Sequence, residues 1–388
     1  MSSFAQSTLE SQLGLRVPWL LIAVIVLALN SALAYFAVDL AAKVLGVLLV
    51  GEVAILIAMA VSVLVHGGGP DGIPAAPINP VNAFQGVDPG FGLFFAFWSW
   101  VGFESTAMYG EESRDPKRII PIATIVSVVG IGLLYVFVSW MAVSGNGLQQ
   151  SVEIAQHDPF GLIFNPLGQF VGQWAVHVAA WLMITGSFAC GLAFHNCASR
   201  YLYAIGREGI VAVRLGRTHR IHRSPYIASL VQTGFAATVV LLFAAFGQDP
   251  YSSLYSLTAV LGTGMILIVQ VACSFAVVVY FHRRRPEARH WFRTLVAPLV
   301  GGVAMTVVVA LLFVNLGAAA GAAAGTPFFR AIPWLIAGTA ALGVLLALYL
   351  RARRPEIYAR VGRIVLADAV ERAGRPEPES PAEAPVAD

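Results

Sequence analysis

Stretches of about 20 apolar residues, the length of helix that crosses a bilayer core of about 30 Å, recur along the chain, each closed by charge, proline or glycine. Nine emerge, at 19–36, 44–65, 91–109, 122–143, 171–203, 227–246, 254–281, 295–316 and 332–350. In lipid, a bare loop or an unclosed sheet would leave backbone N–H and C=O groups unpaired, so all nine are expected to be helical. The pattern predicts an all-α integral membrane protein of about nine transmembrane helices.

The polar segments between the runs sort by charge. Arg114, Lys117 and Arg118 follow the third run, and Arg207, Arg214, Arg217, Arg220 and Arg223 the fifth. Arg283, Arg284, Arg285, Arg289 and Arg293 follow the seventh, and Arg351, Arg353 and Arg354 the ninth. Segments 66–90 and 144–170 hold no Lys or Arg, and Arg330 is the exception near the eighth-to-ninth connection. Basic loops stay in the cytoplasm, so the carboxyl end is expected inside and, with an odd number of spans, the amino end outside. A polar leader, 1–18, without a signal peptide would then cross the membrane unaided. Three further helices upstream would restore a cytoplasmic start, so the expectation is a chain that lacks them. One transmembrane domain, 19–350, is followed by a tail, 351–388, first basic and then, over 371–388, too rich in Pro, Glu and Ala to bury a core.

Composition agrees: 58% hydrophobic and 12% charged residues exclude a soluble domain, as does the mean hydropathy of +0.75. A net charge of +3 lies almost wholly in the loops, where it encodes orientation, so the expected partner is the lipid bilayer and not nucleic acid. Cys190, Cys197 and Cys273 sit inside apolar runs without metal-ligand spacing and read as small buried side chains, so no metal is expected. The spans contain no HExxH, serine elbow or paired metal-spaced carboxylates, which argues against an enzyme. No nucleotide-binding motif is present to power transport, and no cofactor is implied.

The third run carries the chemistry. Trp98, Ser99, Val101, Gly102, Phe103, Glu104, Ser105 and Thr106 bring a glycine, a carboxylate and hydroxyls into the middle of an aromatic span. Ionisable groups at bilayer depth are costly and point to function. Gly102 weakens the helix, and Ser and Thr re-satisfy freed backbone groups, so unwinding is expected near Val101 and Gly102. Unwound carbonyls suit an ammonium group and unwound amides a carboxylate, as an amino acid would present. The plainer alternative is an intact helix with Glu104 paired to a neighbour and Gly102 a packing notch.

The stretch FWSWVGFESTAMYGEESRDPKRIIPIAT (97–124) resembles the sixth helix and following loop of the amino acid–polyamine–organocation (APC) permeases. LAFHNCASRYLYAIGREG (192–209) is similar to the end of that family's eighth helix, RTHRIHRSPYIASL (217–230) to the start of the ninth, and YSLTAVLGTGMILIVQ (255–270) to the tenth. In that register the first run here corresponds to the fourth helix. The resemblance implies a LeuT-like fold of two inverted repeats, with helices one and six broken at the substrate site, of which only the sixth falls within this chain. It implies that carbonyls of Trp98, Ser99 and Val101 receive the substrate amino group, that Gly102 permits the break beside Phe103, that Trp98 is a lid, and that Glu104 takes part in gating. It places Phe194 across the bundle, facing the substrate.

Glu52, in the middle of the second run, is a candidate proton carrier or a buried structural carboxylate. His195 is a candidate coupling residue or a satisfied structural histidine, and Asn196 beside it is a weaker candidate. Glu111 and Glu112 with Arg114, Lys117 and Arg118, and Arg207 with Glu208, are either solvated loop charges or an inner lock. His177 reads as structural or vestibular, and 317–325 as a glycine-rich outer loop. The leading expectation is a secondary transporter in the cell membrane for an amino acid or related amine, coupled to proton or sodium. The alternative is a truncated, non-transporting permease acting as a binding or regulatory membrane subunit.

Overall fold

The computed structural model describes residues 1–36, 39–85, 89–111, 113, 115–222, 224–317 and 324–362. The expected charges Glu112, Arg114 and Arg223, most of the 317–325 loop and the tail segment 371–388 lie outside them. The long helices are α2 (Trp19–Phe36), α3 (Asp39–Val65), α5 (Pro116–Asn146), α8 (Gln173–Arg207), α9 (Tyr226–Ala245), α10 (Ser256–Arg283), α11 (Ala297–Val314) and α12 (Pro327–Arg353). Each matches one apolar run, and among the described residues these eight are long and apolar enough to cross a membrane. Short π-helical segments, Pro250–Tyr255 and Trp291–Val296, lead into α10 and α11. Large apolar side chains stand exposed around the bundle, Val314 at 80% and Trp334 at 79%, as a surface solvated by lipid requires.

The third run does not form one helix. It is divided into α4 (Pro89–Trp98) and a 3₁₀ segment, Phe103–Glu111, with turns between them. Gly102 sits at φ +119°, a conformation that excludes α-helix and disfavours side chains. Nine residues of 3₁₀ geometry exceed the usual three or four, and such stretches mark hinges or strain.

Hydrophobicity alone missed several short helices. α1 (Ser2–Leu13) lies within the segment read as a polar leader, while α6 (Leu148–His157) and α7 (Gly161–Phe170) occupy the 144–170 connection. That end of the bundle is tied together by polar groups. Trp140 Nε1 donates to the Pro74 carbonyl at 2.7 Å, and Asp71 Oδ2 accepts the Leu148 amide at 2.8 Å. At the basic end a last short helix, α13 (Pro355–Arg360), precedes Gly362, whose amide donates to Glu208 at 2.8 Å.

Two buried clusters hold the helices together. Met59, Val63, Met141, Leu167 and Ala175 join α3, α5, α7 and α8. Phe243, Leu257, Val260, Leu312 and Ile336 join α9 to α12, and Trp98 packs against this second group. Close packing of this kind holds an interrupted backbone at a fixed place in the bundle.

Candidate functional site

Between Trp98 and Phe103 the backbone bonds are short-range: Trp100 N to Phe97 O at 3.1 Å, Val101 N to Trp98 O at 3.0 Å and Phe103 N to Trp100 O at 3.3 Å. Gly102 N instead donates to Glu104 Oε2 at 2.9 Å. The carboxylate thus caps the 3₁₀ segment with a charge-assisted bond, from two residues inside it. Gly102 O accepts from both the amide (3.0 Å) and hydroxyl (2.6 Å) of Ser105. Ser99 O receives the Tyr135 hydroxyl at 3.4 Å, and among the described residues neither it nor Val101 O takes a backbone bond. Of the three carbonyls singled out in the sequence, Trp98's is occupied by Val101, which leaves those of Ser99 and Val101 the more available to an ammonium donor.

Both halves are anchored to neighbouring helices. Trp100 donates through Nε1 to Val128 O at 3.3 Å and rests in the notch at Gly132, while Thr106 and Thr124 share a 2.7 Å bond, so α5 holds the break from one side. From the other side α8 presents a stripe. Phe194 lies over Gly102, where an added Cβ would stand 3.5 Å from its Cζ. Cys190, Cys197 and Tyr201 lie on the same helix. Residues 190, 194, 197 and 201 follow the i, i+4, i+7, i+11 spacing of one helix face. Trp98 meets Tyr255 at 5.4 Å between ring centroids and Phe95 also at 5.4 Å. Phe103 is partly exposed beside the break.

Glu52, on α3, meets α8 at a different place. Its carboxylate lies against Gly186, so closely that an added Cβ would overlap it, and Oε1 is buried without a hydrogen-bond partner, as is Asn30 Oδ1 on α2. His195 is directed away from the break. It is 7% exposed and shares a 2.9 Å hydrogen bond with Ser229 on α9, the geometry of an interhelical tie. Replacing His195 by leucine is expected to lower stability in detergent by about 0.6–1.7 kcal/mol, read by thermal unfolding, with substrate affinity unchanged. A changed affinity would return His195 to the site.

Among the described residues, eight membrane-length helices and a divided run define a multi-pass membrane protein. The family model described as Amino acid permease matches residues 1–348, and the chain belongs to that family. It is 24% identical over 272 residues to a branched-chain amino acid permease of Bacillus subtilis, covering 69% of this chain and 53% of that protein. It is 26% identical over 274 residues to the high-affinity methionine permease of Saccharomyces cerevisiae, covering 68% and 44%. It is 23% identical over 204 residues to the methylthioribose transporter of Bacillus subtilis, covering 53% and 41%. The chain spans about half the length of the relatives it matches.

Proposed function

We propose that this chain serves secondary active transport of an amino acid or related amine across the cell membrane, by alternating access around the break near Val101 and Gly102. The observation that carries the reading is the division of the third run at Gly102, with Glu104 capping the far half. In this reading the substrate ammonium is received by the carbonyls of Ser99 and Val101. Trp98, Phe103 and Phe194 surround its side chain, which favours a neutral, apolar one. The names of the branched-chain amino acid and methionine relatives support that choice. The transmembrane domain 19–350 takes the places of the fourth to twelfth permease helices.

Glu52 is the candidate for coupling to protons, because its Oε1 has no donor to hold it charged. Protein reconstituted in liposomes is expected to accumulate labelled leucine or methionine under an imposed proton or sodium gradient. No accumulation above protein-free liposomes under either gradient would overturn the reading. Ligand-dependent thermal stabilisation without accumulation would favour a binding subunit instead. Glu52→Gln is expected to abolish dependence on the proton gradient, and Gly186→Ala to act in the same direction by displacing the carboxylate. A proton-driven signal that survives Glu52→Gln leaves Glu52 structural.

A further inference from the structure

We propose that Tyr255 is a positioning residue that holds Trp98 over the break, and that a single row of rings running from it to Phe4 on α1 keeps the site closed toward the end of the bundle with the bare loops. The proposal rests on the reading of Trp98 as a lid. From Trp98 the row passes to Tyr255 (5.4 Å between centroids), to Tyr251 (5.6 Å, interplanar angle 12°), to Phe160 (5.8 Å) and to Phe4 (4.9 Å). All four spacings fall within the range in which aromatic rings attract one another. The rings come from α4, the π segment before α10, the connection between α6 and α7, and α1, so the row links four separate elements.

Three features make the row more than incidental packing. Tyr251 and Tyr255 are 39% and 46% exposed, so they are steadied on one side mainly by the neighbouring rings. Cavities flank the far end. One of about 540 Å³ lies between α1 and Gly247, Gln248, Asp249 and Pro250, and another of about 390 Å³ is walled by Phe4, Asp158, Phe160 and Tyr251. The second gives the rings of Phe4, Phe160 and Tyr251 room to swing. The backbones of the π segment and of α1 are nevertheless pinned. Asp249 accepts hydrogen bonds from the Tyr251 and Ser252 amides at 2.9 and 2.7 Å and so fixes the start of the π segment. Although partial burial alone would raise its pKa, these bonds and that from the Ser252 hydroxyl hold the Asp249 carboxyl below its usual value, keeping the cap charged at neutral pH. α1 is held by Gln12, which accepts the Trp181 indole N–H at 2.9 Å, and by Gln6, which accepts the Trp19 amide at 2.9 Å. With their backbones held in this way, the rings in contact allow a displacement at Phe160 to reach Trp98 through Tyr251 and Tyr255.

The test uses the full chain in sealed proteoliposomes, with the three native cysteines replaced by serine and a thiol introduced at the break by Ser99→Cys. A membrane-impermeant maleimide is added on the side of the bare loops. Tyr255→Leu and Phe160→Leu are each expected to raise the labelling rate about tenfold, and Tyr255→Phe to restore it. Where uptake is measured, Tyr255→Leu is expected to raise KM about tenfold with a smaller change in kcat. Unchanged labelling in Tyr255→Leu overturns the proposal. A rise in Tyr255→Leu with none in Phe160→Leu or Phe4→Leu overturns the row beyond Tyr255. If Tyr255→Leu fails to fold, Tyr251→Leu carries the same expectation and the same overturning result. Labelling needs no transport, so a chain that labels as expected but accumulates nothing separates failure of the transport reading from failure of this one.

Discussion

Gly102→Ala is expected to reduce substrate accumulation in proteoliposomes between about 5- and 150-fold, the range that corresponds to about 1–3 kcal/mol of backbone strain at a φ disfavoured by side chains. The cause is conformational. At φ +119° an alanine is strained whatever the space around it, while its Cβ would stand 3.5 Å from Phe194, an ordinary contact. The divided helix should lose population to a continuous one, and the site should disappear with it. Phe194→Ala therefore should not rescue Gly102→Ala. If accumulation returns in the double variant, the defect was a clash with the ring, and the strained backbone is not what the site depends on.

Glu104 gives the second large effect, and the order of its variants matters more than any one of them. The carboxylate accepts the Gly102 N–H at 2.9 Å, a bond that glutamine can still accept and leucine cannot. Glu104→Leu would strand an amide at the break, and a lost bond to a charged group costs about 1.5–3 kcal/mol. Uptake in Glu104→Leu is thus expected to fall about 10- to 150-fold, with Glu104→Gln retaining most of the activity but losing any pH dependence that the charge confers. Equal loss in both variants would show that the negative charge, and not the cap, is what Glu104 supplies.

The transmembrane helices were legible because lipid imposes a single strong requirement, length of apolar chain, and α2 begins and ends at the residues that hydropathy indicates. The division of the third run was legible for a different reason: a glycine followed by a carboxylate and hydroxyls has no place in an uninterrupted lipid-facing helix. Less could be read where the signal is shared with ordinary packing. Cys190, Cys197 and Cys273 read as small buried side chains, but only Cys197 is buried, Cys190 and Cys273 being exposed, and the spacing of Cys190 and Cys197 with Phe194 and Tyr201 marks one face of α8. Tyr135 and Tyr255 are single aromatics whose role comes only from what they meet, Ser99 O and Trp98. α1, α6 and α7 escaped notice because they lie outside the apolar runs, and only packing shows where they sit. The sequence leaves His195 open between coupling and structure, and in the fold its ring is hydrogen-bonded to Ser229, joining α8 to α9.

The winding of the segment after the break has a mechanical meaning. A 3₁₀ turn rises about 2.0 Å per residue against about 1.5 Å for α-helix, so the nine residues from Phe103 to Glu111 are about 4–5 Å longer than they would be as α-helix. Rewinding them would draw the Glu111 end toward the break by that distance and twist it by about half a turn. The segment thus stores reach as a coiled spring does, so that rewinding would shorten the path to the loop before α5 without tilting α5 or α8.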